Sequence, residues 1–253
     1  VDALRANTTA ANNTAVGYNA GTAITTGTQN TLIGGNAGDA LTDADYNVAL
    51  GYSALSSDTL GSRSIAIGRS ALSSQNFTSA TDAYNTAVGY SAGTLITTGV
   101  QNTLIGGLAG TAITTGDGNV AVGFEALATE DADGSNTAIG YRALKVLNAG
   151  AEGYNVAVGT DAGLSMTLGI QNTLVGNKAG DALTDADFNV AVGRSSLTSD
   201  TLGSKSTAVG HGTLNTQNFT SATDSFNTAV GYQAGAAVTT GVQNTLIGSL
   251  AGD

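Results

Sequence analysis

Three kinds of residue in this chain could do chemistry, and each meets a limit. Carboxylates come first. The segments "GDALTDADYN" and "GDALTDADFN" set Asp43 beside Asp45 and Asp185 beside Asp187 in alternating pairs, close to Asp39 and Asp181. A D-x-D pair on a turn offers the hard oxygens that Ca2+ takes, although a full calcium loop needs more ligands than one pair supplies. Ca2+ is therefore the one candidate cofactor, at Asp43, Asp45, Asp185 and Asp187, set against solvated turn aspartates. The stretch "EDADGSN" repeats the idea once, with Asp131, Asp133 and Ser135. Nucleophiles come next. The chain has no cysteine, and His211 is its single histidine, so neither a thiolate nor a recurring Ser/His/Asp set exists. Glu125, Glu130 and Glu152 stand alone, and a glycan-cleaving carboxylate pair would have to form between chains. The expectation is a protein that is not an enzyme. Aromatic rings are the third kind. Tyr18, Tyr52, Tyr90, Phe124, Tyr141 and Tyr232 form one series, and Tyr46, Tyr84, Tyr154, Phe188 and Phe226 another. Such tracks stack on sugars or shield strand edges. Phe77 and Phe219, in "QNFTSATDAYN" and "QNFTSATDSFN", mark candidate recognition loops; the preferred alternative is that each ring folds back over its own coil.

Composition narrows the partners. Only 11% of the 253 residues are charged and the net charge is −11. Average domains carry about a quarter charged residues. Eight Lys plus Arg cannot make the basic face that a nucleic-acid duplex needs. No apolar run approaches the roughly 18 residues of a membrane-spanning helix. Thirty-six glycines and the lack of any 3.6-residue apolar period argue against helices.

The elements that must position these groups show themselves as a repeat. The unit is Asn–[Thr/Val]–[Ala/Leu]–[Val/Ile/Leu]–Gly, present fourteen times with Ser64 and Ser206 in place of Asn in two copies and Ile65 at position two in one. It runs from Asn13–Gly17 and Asn30–Gly34 through Asn85–Gly89 and Asn155–Gly159 to Asn227–Gly231 and a last copy at Asn244. The spacing is 17 residues, stretched to 21 after Gly68 and Gly210 and to 19 after Gly140. A fixed short period means stacked coils, each touching its neighbours. The third motif position cycles Ala, Leu, Ala, Ala, and the residue four past the glycine cycles Gly, Gly, Leu, Leu. Four-coil groups therefore cover 13–84, 85–154 and 155–226, with partial segments at 1–12 and 227–253. The absence of polar caps suggests one continuous repeat domain cut from a longer fibre.

Within "NTAVGYNAGTAITTGTQ", Thr14-Ala15-Val16 reads as a short strand ended by Gly17. A second short strand is expected over about Tyr18 to Ala23, and a turn at "TTGTQN" with Gly27 as its φ > 0 residue. Coils stacked about 4.8 Å apart let identical asparagines hydrogen-bond along the stack. The alternative is an Asn in a left-handed turn without any ladder. Motif positions two and four point one way and position three the other, and both faces are apolar. A thin single-chain coil buries one of them. The expectation is an all-β, parallel β-roll or β-helix solenoid of roughly 17-residue coils, in a homotrimer whose small Ala/Leu row lies near the shared axis; a broad single-chain solenoid would satisfy the pattern too.

The motifs "NTAVGYxAG" and "TTGxQNTxIG" resemble the repetitive shafts of bacteriophage tail fibres, over nearly the whole chain. The repeat is also similar to the "N-S-x-A-I-G" units in the heads of trimeric autotransporter adhesins, which form left-handed parallel β-rolls in trimers, with a shorter repeat than the one here. The resemblance implies a structural shaft of a virion tail fibre, engaged in host attachment, with further fibre or tail proteins and a host-surface glycan or protein as partners. An adhesin head on a bacterial surface is the alternative.

Overall fold

A computed structural model describes residues 2–132, 134–150 and 152–253. It is an all-β parallel solenoid of fourteen coils about 17 residues apart, with no helix among the described residues. Contacts divide the chain into two compact units, Val1–Phe124 and Glu125–Asp253. This boundary falls inside the second four-coil group.

In the first unit β1 (Thr14–Val16), β2 (Thr31–Ile33), β3 (Val48–Leu50), β5 (Ile65–Ile67), β7 (Thr86–Val88), β8 (Thr103–Ile105) and β9 (Val120–Val122) form a parallel ladder. Pairing matches like position with like: Thr14 with Thr31, Ala15 with Leu32, Val16 with Ile33. Two shorter strands, β4 (Gly61–Ser62) and β6 (Thr81–Asp82), pair separately beside the first insertion. The second unit repeats the plan. Its ladder holds β10 (Thr137–Ile139), β11 (Val156–Val158), β12 (Thr173–Val175), β13 (Val190–Val192), β15 (Thr207–Val209), β17 (Thr228–Val230) and β18 (Thr245–Ile247). Its side pair is β14 (Gly203–Ser204) with β16 (Thr223–Asp224).

The motif glycine closes each strand for two reasons. Gly17 has φ +134°, a value that L side chains rarely adopt, and a Cβ there would sit 2.4 Å from the Gly34 carbonyl oxygen. The segment expected as a second strand, Tyr18 to Ala23, is a run of turns. Asn19 (φ 56°) and Gly21 (φ 59°) are both left-handed, so the chain curls where a strand would extend. The turns still ladder from coil to coil: Gly21 N–H donates to the Ala37 carbonyl at 3.0 Å. Gly27 is not the φ > 0 residue of its turn. Gln29, just before the motif Asn, takes that role at φ 59°, while Gly27 is needed because a Cβ would meet the Ala44 carbonyl oxygen at 2.4 Å.

The core explains the four-coil cycle. A leucine at motif position three fills the space left by two glycines four past the motif. Leu32 reaches over Gly21 and Gly38, where Cβ atoms would lie 2.7 and 2.8 Å from its methyls. Leu104 does the same over Gly93 and Gly110. The third and fourth coils of each group, with Ala at position three, carry Leu55, Leu72, Leu127 or Leu144 in the glycine's place, all fully buried. Large and small exchange places, which keeps packing dense from coil to coil.

That packing reverses one expectation. The Ala/Leu row lies inside each chain's own coil, not at an axis between chains: Leu32, Ala49, Ala66 and Leu104 are all fully buried by their own polypeptide. The face left over is the Thr/Val and Val/Ile/Leu one, positions two and four.

Candidate functional site

The interior polar residues are structural. The motif asparagines do form a ladder, and it runs through the backbone. Asn30 N–H donates to Asn13 Oδ1 at 2.8 Å, and Asn47 N–H to Asn30 Oδ1 at 2.9 Å. Nδ2 also caps a carbonyl fourteen residues on, as Asn30 does with Ala44 at 2.7 Å and Asn85 with Gly99 at 2.7 Å. Asn155 and Asn227 repeat this with Gly169 and Gly241. The left-handed residue is the one before each asparagine, which disposes of the reading without a ladder.

Where serine replaces the motif asparagine, at Ser64 and Ser206, a network takes over that the sequence reading missed. Asp58 is fully buried. It accepts Gly61 N–H at 3.0 Å, Phe77 N–H at 3.1 Å and Gln75 Nε2 at 2.6 Å. Gln75 Nε2 also reaches Ser64 Oγ at 3.0 Å, and Gln75 Oε1 accepts from Asn85 Nδ2 at 2.9 Å. Asp200, Gln217, Ser206 and Asn227 reproduce it in the second unit. Three N–H donors let a buried carboxylate stand without a cation. The available signal was coincidence: both serines open the coil that holds an insertion, with Asp and Gln in a slot that is apolar in every other coil but that of Glu130.

The network also settles the two phenylalanines. Phe77 and Phe219 are 5% and 6% exposed, with Phe77 lying against Gly61 and Phe219 against Gly203. The rings fold back over their own coils, as preferred from sequence, while residues 78–80 and 220–222 of the same loops stay exposed.

The acidic pairs are engaged in the stack or lie in solvent. Asp45 Oδ1 accepts Thr28 N–H at 2.6 Å, and Asp187 Oδ1 accepts Ile170 N–H at 2.9 Å. Asp117 does the same for Val100 at 2.7 Å. Each caps the amide one coil earlier. Asp43 is exposed and takes Thr26 Oγ1 at 2.7 Å; Asp185 is exposed. Among the described residues no group of three or more Asp, Glu or His stands close enough to hold an ion. Asp133, part of the third acidic stretch, lies outside the described residues. Asp39 differs from its counterpart Asp181. Asp181 accepts Thr198 Oγ1 at 2.5 Å, whereas buried Asp39 Oδ1 has no partner. Desolvation raises the Asp39 pKa above its ordinary 3.8, against a smaller opposing backbone hydrogen bond.

What remains is the outward strand face. Leu50 is 43% exposed beside fully buried Ala49, and Ile33, Ile105, Ile139 and Val230 are similarly open. Two rows border this face. The residue before each motif brings Tyr46, Arg63 and Tyr84 together in the first unit: the Arg63 guanidinium lies 4.8 Å from the Tyr46 ring and 5.8 Å from Tyr84, and bonds Asp82 at 2.9 Å. In the second unit Lys205 sits 5.4 Å from the Phe226 ring and bonds Asp224 at 2.6 Å. The residue after each glycine makes the other border. Arg69 stands 5.7 Å from the Tyr90 ring; His211 stacks on Tyr232 at 5.5 Å and takes Arg194 Nη1 at 3.3 Å. Arginine can only donate, so His211 Nε2 is the acceptor.

No Asp or Glu occupies either strand position two or four or either border row, although the chain holds 19 of them. The first border is also strained. Tyr46, Tyr84, Phe188 and Phe226 all have φ between 49° and 61°. A bulky residue there costs about 1 kcal/mol or more compared with glycine. No pocket interrupts the surface among the described residues, and no helix there is long and apolar enough to cross a membrane. Compared with known protein families, characterised proteins and solved structures, the chain finds no match, so its functional reading rests on this face.

Proposed function

We propose that the chain is a shaft segment of a trimeric viral tail fibre that serves host attachment, and that three copies pack through the outward strand face. The observation that carries this reading is the face itself: a row of partly exposed Val, Ile and Leu on every coil, free of carboxylates in a molecule of net charge −11. Exposed apolar patches of such length mark interaction surfaces. Burying positions two and four against sister chains supplies the partner that the coil's own interior cannot. A stack of rigid coils with in-register hydrogen bonds suits a spacer, and the interior polar groups are spent on the stack. The strand face holds no carboxylate for glycoside cleavage, which argues for a structural role over a glycan-degrading one.

Sedimentation equilibrium across a wide concentration range tests the assembly. A mass three times that of the 24.8 kDa chain is expected. A monomer at every concentration overturns the reading. Genes adjoining the coding sequence separate a tail fibre from a bacterial surface adhesin of the same fold: virion structural genes are expected, and a membrane-anchor β-domain in the same reading frame would favour the adhesin.

A further inference from the structure

The two borders of the outward face differ in charge. On the border before the strands, the carboxylates of Asp82 and Asp224 stand beside Arg63 and Lys205 and stay 49% exposed. Both belong to the side strands β6 and β16, which occur only at the four-residue insertions. Asp82 uses Oδ1 for Arg63, and its Oδ2 lies 3.5 Å from the Tyr84 hydroxyl. On the border after the strands, Arg69, Arg194 and His211 make no ion pair among the described residues. They lean on aromatic rings instead.

Their levels along the stack agree. Arg63 and Arg69 flank the same strand, β5, and both point to the next coil, Arg63 to Asp82 and Arg69 to Tyr90. In the second unit Lys205 and His211 flank β15, and they reach Asp224 and Tyr232. In the first unit the acid of one border therefore stands level with the cation of the other; in the second it stands level with His211, which accepts from the Arg194 guanidinium.

We infer that the borders are complementary to each other between copies: Arg69 of one copy pairs with Asp82 of the next, and the Arg194–His211 pair meets Asp224 of the next. This rests on the proposal that copies pack through the outward face, and it adds direction and register. A parallel cyclic arrangement sets one border against the other at the same level, so each contact joins an acid to the arginine-bearing border. An antiparallel pair sets like border on like border, which leaves Arg69 without an acid. Charge complementarity of this kind fixes register and excludes wrong arrangements. It gives the insertions a purpose too, since each one brings an ion-paired carboxylate beside a border row that itself holds none.

The chain contains no cysteine, so engineered cross-links report cleanly. Arg69→Cys with Asp82→Cys in the full chain, under mild oxidation, is expected to give a covalent trimer on non-reducing gels. Each single variant should stop at dimers. A double variant that also stops at dimers overturns the inference. Arg69→Ala and Asp82→Ala complete a mutant cycle that needs no cross-link. Each should weaken subunit association by about tenfold or more, with the double variant no weaker than the worse single. Strictly additive losses would sink the pairing while leaving the trimer intact. A wild-type chain that stays monomeric removes the underlying proposal instead. If that monomer binds an anionic polysaccharide through Arg69, the occupant of the face is a glycan and the inference fails.

Discussion

The two sides of one three-residue strand behave as different materials. Ala49 points inward and is fully buried, while Leu50 beside it is 43% exposed. The smaller side chain lies inside because the coil is narrow: a Leu fits there only over two glycines, as Leu32 does over Gly21 and Gly38. The larger side chain lies outside, where a monomer gains least from it. Interior size is set by the chain's own geometry, and outward size by something beyond the chain. That contrast separates folding residues from interaction residues without any ligand in view.

Substitutions on the two sides should therefore part company. Leu104→Ala, on the inward side, opens a cavity above Gly93 and Gly110. It should lower unfolding free energy by about 2–5 kcal/mol, read by denaturant titration in dilute solution. Adding Gly110→Ala cannot restore it, because φ 55° there resists a side chain. Val122→Asp, on the outward side, should cost the isolated chain about 1 kcal/mol or less, since the new carboxylate reaches water. The same variant should abolish association, because the assembled face would bury an unpaired charge. Equal effects of the two substitutions on the dilute chain would erase the contrast.

Smaller effects test the carboxylates. The raised pKa of Asp39 means that the folded chain holds its proton more tightly than the unfolded chain. Between 3.8 and the raised value, stability then falls as pH rises. Asp39→Asn should flatten this segment of the pH–stability curve and raise the melting midpoint slightly at neutral pH. An unchanged curve would show that Asp39 lacks the desolvation assigned to it. Asp43→Ala removes one exposed contact to Thr26 and should shift stability by less than about 0.5 kcal/mol, with or without calcium. A calcium-dependent rise in melting temperature that disappears in this variant would support the ion-binding reading.

Much of this was legible in the chain itself. The fourteen strands fall on Thr14–Val16 and its equivalents because the motif repeats. The asparagine ladder follows from one amide per coil at a fixed position. Asp58 and Gln75 were not legible, because a buried carboxylate matched to three N–H donors depends on groups brought together by the insertion. The turns at 18–23 were misread as a strand because Tyr18 and Ala23 alternate plausibly, while the left-handed φ of Asn19 is invisible to propensity. Phe77 carried no sign of its direction beyond the length of its loop.

Sequence alone determined the coil, its period and the four-coil cycle, since a repeat of identical residues imposes identical local geometry on every turn of the chain. Tertiary structure decided which apolar side of each strand is inside. Alternation gives two faces of equal standing, and only closure of the coil, with Leu32 seated over Gly21 and Gly38, assigns one to the core and leaves the other outward.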